Sequence, residues 1–251
     1  PCYYSRTTNL GTVRMINYVD DTLYFGTTDE AEEKIVKELK SRFKFNLLGK
    51  ASWYLGMKIE YNHQGATIDQ QLYANSIANK LIKKGVNILP RDTPLPTDII
   101  LSKKDCPPNL NVQQETDNKY KDIHFRSVIG ALIYLSSGTR PNITFATVKL
   151  AKYAHSPGDC HYKALIWLVG YIHKFPNKAI HFYADTGMSP VGQVIHQSNI
   201  SLNDKLTATF TDASWQDDID TGRSTGGYII FKSGGPVDHR CHLPIPVALS
   251  T

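Results

Sequence analysis

The sequence has 251 residues, 41% hydrophobic and 20% charged, and its 28 Lys and Arg against 23 Asp and Glu give a formal net charge of +5. This length can bury a core in one large domain or two small ones, and a composition without biased tracts excludes a disordered or fibrous chain. The mild positive charge is compatible with a nucleic-acid partner but does not demand one.

The first 26 residues predict a β-hairpin. An extended stretch at 12–16 leads through Tyr18-Val19 to the acidic pair Asp20-Asp21, and a second apolar stretch follows at 23–25. Acidic side chains favour turns because their carboxylates bond nearby backbone amides. The acidic pair is therefore expected at the turn of the hairpin.

Helical periodicity recurs along the rest of the chain, interrupted by extended runs. A segment without periodicity, 90–118, contains several prolines and predicts a linker, whereas 221–227 predicts a turn-rich loop. Helices are predicted at 29–43, 71–84, 125–137, 143–155 and 159–175. Strands are predicted at 53–59, 66–68, 179–183, 206–211 and 228–231.

The four cysteines do not predict a metal site or a disulfide framework. Cys2, Cys106, Cys160 and Cys241 lie far apart in the sequence, so reduced thiols in an intracellular protein are expected. No apolar run approaches the ~20 residues that span a bilayer, and no signal-peptide pattern is present. We therefore expect no membrane partner and an intracellular location, in a cytoplasmic particle or the nucleus.

Asp20 and Asp21 are the clearest chemical feature of the sequence. Adjacent carboxylates repel each other, and a divalent cation relieves that repulsion. Mg²⁺ takes hard oxygen ligands, typically one or two carboxylates together with substrate phosphates and water. The pair predicts a Mg²⁺ site, although an acidic turn that is only solvated remains an alternative.

The surroundings of this pair resemble the reverse transcriptases of copia-type retrotransposons. Tyr18-Val19-Asp20-Asp21 is similar to the Tyr-x-Asp-Asp hairpin of the palm domain, and Thr211-Asp212-Ala213-Ser214-Trp215 resembles the first strand of the ribonuclease H domain. Further segments that resemble the family, in its order, are 45–49, 53–59, 69–73, 93–96, 125–135, 139–143, 223–228 and 247–251.

The resemblance implies an α+β fold assembled from four regions. Residues 1–89 would form part of the reverse-transcriptase palm and the thumb, and 90–118 a Pro-rich linker. Residues 119–204 would form a helical connection region, and 205–251 the first strands of a ribonuclease H-like domain. The implied activity is RNA-directed DNA polymerisation by two-metal nucleotidyl transfer.

The same resemblance implies roles for individual residues. Asp20 and Asp21 would be catalytic and hold Mg²⁺ at the polymerase site, and Asp212 would be the first catalytic Mg²⁺ ligand of the ribonuclease H site, or else a polar strand end. The implied partners are an RNA template, a DNA primer or RNA–DNA hybrid, and deoxynucleotides. The residues expected to contact these substrates are Tyr18, Trp53, Leu55 and Gly56.

For two further sets of residues the sequence leaves two roles open. Trp53 and Tyr54 would lie against the primer backbone, or serve as ordinary strand-core residues. Basic residues on two predicted helices would follow a phosphate backbone, or simply form solvated faces. These basic residues are Lys37, Lys40, Lys44, Lys80, Lys83 and Lys84.

The sequence also departs from the family pattern. None of the 17 residues before Tyr18 is acidic, whereas the family carries a third aspartate upstream, and the ribonuclease H glutamate would fall beyond Thr251. Asn142 stands where the family has Asp, and Asp238 where it has Trp. We therefore expect this isolated chain to be inactive. The alternatives are a non-catalytic nucleic-acid-binding remnant and, because sheet edges would stay unpaired, an unstable product.

Overall fold

A computed structural model describes residues 2–184 and 207–243 of the chain. The fold contains both helices and sheets, which confirms the α+β class. Backbone contacts divide the chain into two compact units, Pro1–Ile59 (the N-terminal unit) and Glu60–Thr251 (the C-terminal unit). Among the described residues, no helix has the length and apolar content to cross a membrane.

The N-terminal unit begins with a three-stranded antiparallel meander, β1 (Tyr3–Thr8), β2 (Gly11–Tyr18) and β3 (Asp21–Gly26), in that spatial order. The predicted hairpin corresponds to β2 and β3, and β1 is a strand that the sequence did not predict. β1 lacks a clear apolar alternation because nearly all of its side chains are exposed.

One helix, α1 (Asp29–Arg42), covers one face of this sheet. Thr28 caps the helix by accepting a hydrogen bond from the amide of Ala31 at 3.3 Å. Acidic residues in the first turn and basic residues in the last match the helix dipole. Val13 of β2 and Ala31 are the buried apolar residues of this layer.

A short hairpin follows, formed by β4 (Trp53–Tyr54) and β5 (Met57–Asn62), and β5 contains the boundary between the units. Tyr54 pairs with Met57, so Leu55 and Gly56 form a two-residue turn. Both turn residues have positive φ, 50° and 73°, which is the backbone that a type I′ hairpin turn requires.

The C-terminal unit has a helical core. β6 (Gly65–Asp69) pairs antiparallel with β7 (Ile180–Tyr183). The helices are α2 (Gln71–Ile82), α3 (Leu110–Lys119), α4 (Phe125–Gly138), α5 (Thr144–Ala151) and α6 (Asp159–Lys174). Helix α6 is the central element, because Leu165, Leu168, Val169 and Ile172 are all fully buried. Four of these helices were predicted with small differences at their ends.

Helix α3 begins inside the segment predicted to be a linker, 90–118, and ends one residue beyond it. It has no buried residue, so its sequence carries no apolar stripe to reveal it. The linker also packs on α6: the indole N–H of Trp167 donates to the carbonyl of Thr93 at 2.9 Å, and Arg91 stacks over the same indole, 3.9 Å from its ring centroid. The linker is therefore part of the packed unit.

Three long strands complete the described chain: β8 (Thr207–Asp218), β9 (Arg223–Lys232) and β10 (Gly235–His242), an antiparallel meander in the order β10-β9-β8. Residues 223–227, predicted to be part of a loop, belong to β9 instead. The turn is confined to 219–222, because the carboxylate of Asp217 accepts hydrogen bonds from the amide and hydroxyl of Thr225 at 2.6 and 2.9 Å. The predicted family segment 247–251 lies outside the described residues.

Candidate metal and nucleic-acid site

The turn between β2 and β3 brings the two predicted metal-binding aspartates to the tip of a hairpin. Tyr18 and Asp21 are cross-strand partners, so Val19 and Asp20 alone form the turn. The sequence placed both aspartates in the turn, but Asp21 is the first residue of β3, because a two-residue loop closes this hairpin. Both aspartates are exposed to solvent.

The turn itself is strained at Val19. Its φ is +52°, a left-handed conformation that hairpin turns use but that a β-branched residue rarely adopts. The side chain is 87% exposed, so no packing holds this conformation in place. One row below the turn, the hydroxyl of Thr22 donates to the amide oxygen of Asn17 at 3.0 Å and ties the two strands together. Backbone strain of this kind is often found at functional turns.

The sheet face turned away from α1 is the second part of the site; we call it the open face. Side chains alternate along a strand, so Arg14, Ile16 and Tyr18 lie opposite the Val13 face that packs toward α1. Cross-strand pairing adds Asp21 and Phe25 to the same face. Tyr18 is 57% exposed and Phe25 46%, and the guanidinium of Arg14 lies 5.9 Å from the centroid of the Phe25 ring. Exposed rings beside a cation can stack on nucleic-acid bases.

The carboxylates match Mg²⁺ in donor chemistry but not in number. Asp20 and Asp21 offer hard oxygen atoms that are open to solvent and to a phosphate-bearing ligand. A two-metal centre requires further carboxylates, and within residues 2–184 and 207–243 no third Asp, Glu, His or Cys ligand groups with this pair. The site fits a weakly held ion that shares its shell with water and phosphate.

The β4–β5 hairpin carries the other residues predicted to contact the substrate. Trp53 is half exposed, as a contact residue would be, and Leu55 and Gly56 form its turn. For Tyr54 the sequence left the same two roles open as for Trp53, contact with the primer backbone or an ordinary place in a strand core. Its hydroxyl is buried without a hydrogen-bond partner among the described residues. Burial and the nearby charge of Asp21 raise the pKa of Tyr54, so this phenol is within electrostatic reach of the acidic turn.

Asp212 lies in the middle of β8, exposed, in the other unit. Its carboxylate accepts a hydrogen bond from the amide of Ala213 at 2.9 Å, and its cross-strand partner is Gly227. In the part of the chain that the structure describes, Asp212 belongs to no group of three metal-ligating residues. Its predicted role as a metal ligand therefore stays a prediction.

Two other acidic residues of β8 are structural. Asp217 binds Thr225, as described above. Asp218 is buried and forms an ion pair with Lys152, with 3.2 Å between its carboxylate and Nζ. It also accepts a hydrogen bond from the hydroxyl of Thr221 at 2.6 Å. Both carboxylates are thus engaged by groups of the C-terminal unit.

Asp105, Cys160 and His161 are the one group of three metal-ligating residues among the described residues, with ligand atoms within 4.8 Å of one another. The hydrogen bonding of His161 argues against a metal there. Its Nδ1 accepts the amide hydrogen of Gly158 at 2.9 Å, so the proton of a neutral ring is on Nε2. Ligation through Nε2 would require that proton to move to Nδ1, which is already occupied. His161 closes the first turn of α6 and is structural.

The predicted basic residues are exposed but divided between the units. Lys37, Lys40 and Lys44 lie on α1 and just after it, whereas Lys80, Lys83 and Lys84 lie on α2 and its C-terminal end. Lys84 donates to the backbone carbonyl of Asp122 at 3.3 Å. Solvated faces and a phosphate-binding surface both remain compatible with this arrangement.

The chain is similar to proteins encoded by transposable elements. It is 29% identical over 254 residues to the retrovirus-related Pol polyprotein from transposon TNT 1-94 of Nicotiana tabacum, a match that covers 100% of this chain and 17% of that protein. It is 26% identical over 226 residues to the retrovirus-related Pol polyprotein from transposon RE2 of Arabidopsis thaliana, covering 90% of this chain and 13% of the relative.

A shorter relative, an uncharacterized mitochondrial protein of Arabidopsis thaliana, is 29% identical over 219 residues, which is 86% of this chain and 78% of that protein. No protein-family model matches the chain. No solved structure matches it. The homologues support a retrotransposon Pol fragment, and the chain spans less than a fifth of the two Pol polyproteins.

Proposed function

We propose that this chain is a fragment of the RNA-directed DNA polymerase and ribonuclease H of a copia-type retrotransposon. Under this proposal the N-terminal unit is part of the palm domain and α2 belongs to the thumb. The region α4–α6 is then the connection, and β8–β10 are the first strands of the ribonuclease H-like domain. The two-residue turn that exposes Asp20 and Asp21 at a hairpin tip is the observation that carries this proposal. An intracellular location follows from the same ancestry.

The proposed site residues have separate roles in the parent enzyme. Asp20 and Asp21 supply carboxylate oxygens for Mg²⁺, and Tyr18, Trp53, Leu55 and Gly56 contact the primer and template. When bound, Mg²⁺ supplies charge stabilisation for nucleotidyl transfer from deoxynucleotides. Asp212 would hold Mg²⁺ at the separate ribonuclease H site. The exposure of Tyr18 and Trp53 leaves their rings accessible to nucleic acid.

The isolated 251-residue chain is proposed to be inactive. Two carboxylates cannot hold two metal ions in fixed positions, and within the described ranges no third carboxylate joins Asp20 and Asp21. Weak Mg²⁺ binding, without primer extension, is the expected behaviour of the purified chain.

A magnesium titration followed by NMR tests the assignment of the metal site. We expect the amide signals of residues 18–22 to shift on addition of Mg²⁺, with a dissociation constant in the millimolar range, on the order of −4 kcal/mol. Asp20→Asn and Asp21→Asn should abolish these shifts. Asp29→Asn, which changes an exposed acidic residue of α1, is the matched control and should preserve them. Equal Mg²⁺-induced shifts in all three variants would contradict the assignment of the metal site.

Primer extension on an RNA template tests the proposed inactivity. The purified chain with Mg²⁺ and deoxynucleotides should give no extended product. Extension that is lost in Asp20→Asn would show that the chain is a competent polymerase and that the proposed inactivity is wrong.

The second candidate is a non-catalytic nucleic-acid-binding remnant. The exposed rings of Tyr18 and Phe25 beside Arg14 favour it, because they need no metal to contact bases. It predicts binding of an RNA–DNA hybrid that weakens steeply with salt and is indifferent to Asp20→Asn. Failure to bind the hybrid even at low salt would remove this candidate.

A further inference from the structure

An open cavity in the C-terminal unit lies outside every residue discussed so far as a functional site. It lies between α3, the start of α4 and the loop that joins α5 to α6, and its volume is about 720 Å³. A hydrogen bond between Ser156 and the side-chain carbonyl of Gln113, 2.6 Å long, links two of these walls. The volume lies within the range of small-molecule sites, roughly 300–1,000 Å³.

The floor of the cavity is aromatic. Tyr162 and Phe125 are almost fully buried there and meet edge to face, with ring centroids 5.2 Å apart. Tyr120 stacks on Tyr162 with its centroid at 4.2 Å and an angle of 9° between the rings. Ile123 and Pro157 extend the apolar surface. Tyr120 is only half-buried, so its ring is the part of this floor that a flat apolar ligand can contact.

The rim carries basic side chains that are exposed: Lys121, His124, Arg126 and His155. In the described ranges, none of the ion pairs or hydrogen bonds formed by carboxylates involves these four residues. Lys121 and Arg126 are cationic and raise the local potential, which attracts an anion, and the imidazoles of His124 and His155 add ring N–H donors.

Two carboxylates near the cavity, Asp117 and Asp159, already accept hydrogen bonds or form ion pairs. Asp117, the one carboxylate among the described residues of the lining, accepts a hydrogen bond from the side-chain amide of Gln113 at 2.9 Å. Asp117 also accepts a hydrogen bond from the hydroxyl of Tyr162. Burial of Tyr162, and next its interaction with Asp117, raise the pKa of Tyr162 to about 12. Asp159, behind Tyr120, is held by Lys119 and by Lys163, the latter at 2.7 Å. Lys121 and Arg126 against the single carboxylate of Asp117 leave the described lining with a small formal excess of positive charge.

We propose that this cavity binds a nucleotide, with the phosphate at the basic rim and the base on the aromatic floor. Arg126 supplies a planar set of donors that suits phosphate oxygens, Lys121 adds charge, and the two histidines add ring N–H donors. Contact with the ring of Tyr120 serves the base, and the side-chain N–H groups of Asn109 offer hydrogen bonds to its polar edge.

Other anions fit less well. Inorganic phosphate would fill only a small part of about 720 Å³ and would leave the aromatic floor without a ligand. An acidic peptide would match the rim but carries no flat ring for the floor. The site does not involve Asp20, Asp21 or Asp212, so it goes beyond the proposed polymerase ancestry and does not depend on it.

Calorimetric titration of the full 251-residue chain with adenosine monophosphate, adenosine and inorganic phosphate tests the proposal. The monophosphate should bind at least tenfold more tightly than either of the other two, because only it engages both rim and floor. Binding should weaken roughly tenfold in Arg126→Ala and in His155→Ala, in line with the strength of charge-assisted hydrogen bonds to phosphate.

Lys232→Ala, a change of an exposed lysine of β9 outside the cavity lining, is the matched control and should bind the monophosphate like the original chain. Thermal melts of all variants check that they fold. Equal affinity for adenosine and its monophosphate, or unchanged binding in Arg126→Ala, would overturn the proposal. Tighter binding of a polyglutamate peptide than of the monophosphate would also overturn it, in favour of an acidic protein partner. Because these titrations contain no metal and no template, their failure leaves the polymerase assignment untouched.

Discussion

Nε of Arg140 donates to the side-chain oxygen of Asn142 at 3.1 Å. Arg140 is only 1% exposed, so its buried guanidinium charge is paired with a neutral amide rather than with a carboxylate. The guanidinium donates once more, to the carbonyl of Phe175 at 2.8 Å, and its Nη2 has no partner among the described residues. Burial lowers the pKa of Arg140 from its ordinary value. A buried charge without a counter-ion is a cost to folding.

Asn142→Asp should stabilise the C-terminal unit. A carboxylate at this position would accept from Arg140 and could accept from the hydroxyl of Tyr171, which now receives the Asn142 amide at 2.7 Å. We expect the free energy of unfolding in urea to rise by about 1–3 kcal/mol at neutral pH, the range for hydrogen bonds to charged groups. The gain should disappear in acid, because the folded-state pKa of the new carboxyl is lowered by Arg140 and protonation removes the ion pair.

Asn142→Ala is the counterpart and should be destabilising, because it leaves Arg140 and Tyr171 without this partner. An Asn142→Asp midpoint equal to or below that of the original chain would contradict the view that Arg140 lacks a counter-ion.

The turn between β8 and β9 should show a pH-dependent attachment through Asp220. Burial opposes ionisation of Asp220, but hydrogen bonds from Ser102, the amide of Lys103 and Tyr153 outweigh it and lower its pKa. The first two measure 2.7 and 2.9 Å. A lowered folded-state pKa gives stability that is present above the unfolded value of about 3.9 and lost as pH falls through the folded value.

Asp220→Asn keeps the acceptor oxygen and removes the charge, so the stability difference from the original chain should be present at neutral pH and vanish in acid. Thermal melts across the acid range measure it. Asp98→Asn, a change at an exposed residue of the preceding linker, is the control and should give little difference at any pH. A difference between Asp220→Asn and the original chain that persists undiminished well below pH ~3.9 would rule out the charge as its origin.

Two glycines in helices should respond to alanine with opposite signs. A Cβ on Gly170 of α6 would lie 2.2 Å from the carbonyl oxygen of Leu89, so Gly170→Ala should displace the linker and destabilise the fold by roughly 1–3 kcal/mol. A Cβ on Gly130 of α4 meets nothing within 4 Å, so Gly130→Ala should stabilise by up to about 1 kcal/mol through helix propensity. Urea denaturation of both variants measures the change in the free energy of unfolding. A change of the same sign in both would show that the Leu89 contact is not maintained in solution.

Val19→Gly should stabilise the hairpin that carries the acidic turn. Glycine adopts the observed φ of +52° without a steric penalty, and relief of that penalty is worth roughly 1–2 kcal/mol. Amide hydrogen exchange of residues 12–25 should slow accordingly. Val36→Gly, within α1, is the contrasting control and should speed exchange of that helix. Faster exchange of the hairpin in Val19→Gly would mean that the turn adopts another conformation in solution.

Much of the local structure could be predicted from the sequence, because local patterns cause it. The helical repeat of apolar residues marks α6, and the alternation around Tyr18 marks the hairpin. The chemistry of the Asp20-Asp21 pair was also visible, since two adjacent carboxylates are unusual wherever they occur. The residues alone predicted a single strand over 53–59, because leucine does not mark a type I′ turn; the hairpin at Leu55-Gly56 was indicated only by the resemblance of this segment to the family's Leu-Gly hairpin.

The roles of the other charged residues depend on distant partners. Nothing near Asp218 in the sequence indicates Lys152, and nothing near Asp220 indicates Ser102, because each pair is separated by more than sixty residues and meets only when the helices pack. Helix α3 was missed for a related reason: without an apolar stripe, its position is fixed by hydrogen bonds to other segments, such as the one between Gln113 and Ser156.

The sequence by itself therefore determined the α+β class, most helices and the acidic hairpin, whose signals are periodicity and composition within a few residues. Only the tertiary structure decided that Asp20 alone shares the turn with Val19, that Asp217 and Asp218 are structural, and that basic side chains gather around an aromatic floor. These features depend on contacts between residues far apart in the chain, and their geometry is set by packing rather than by local preference.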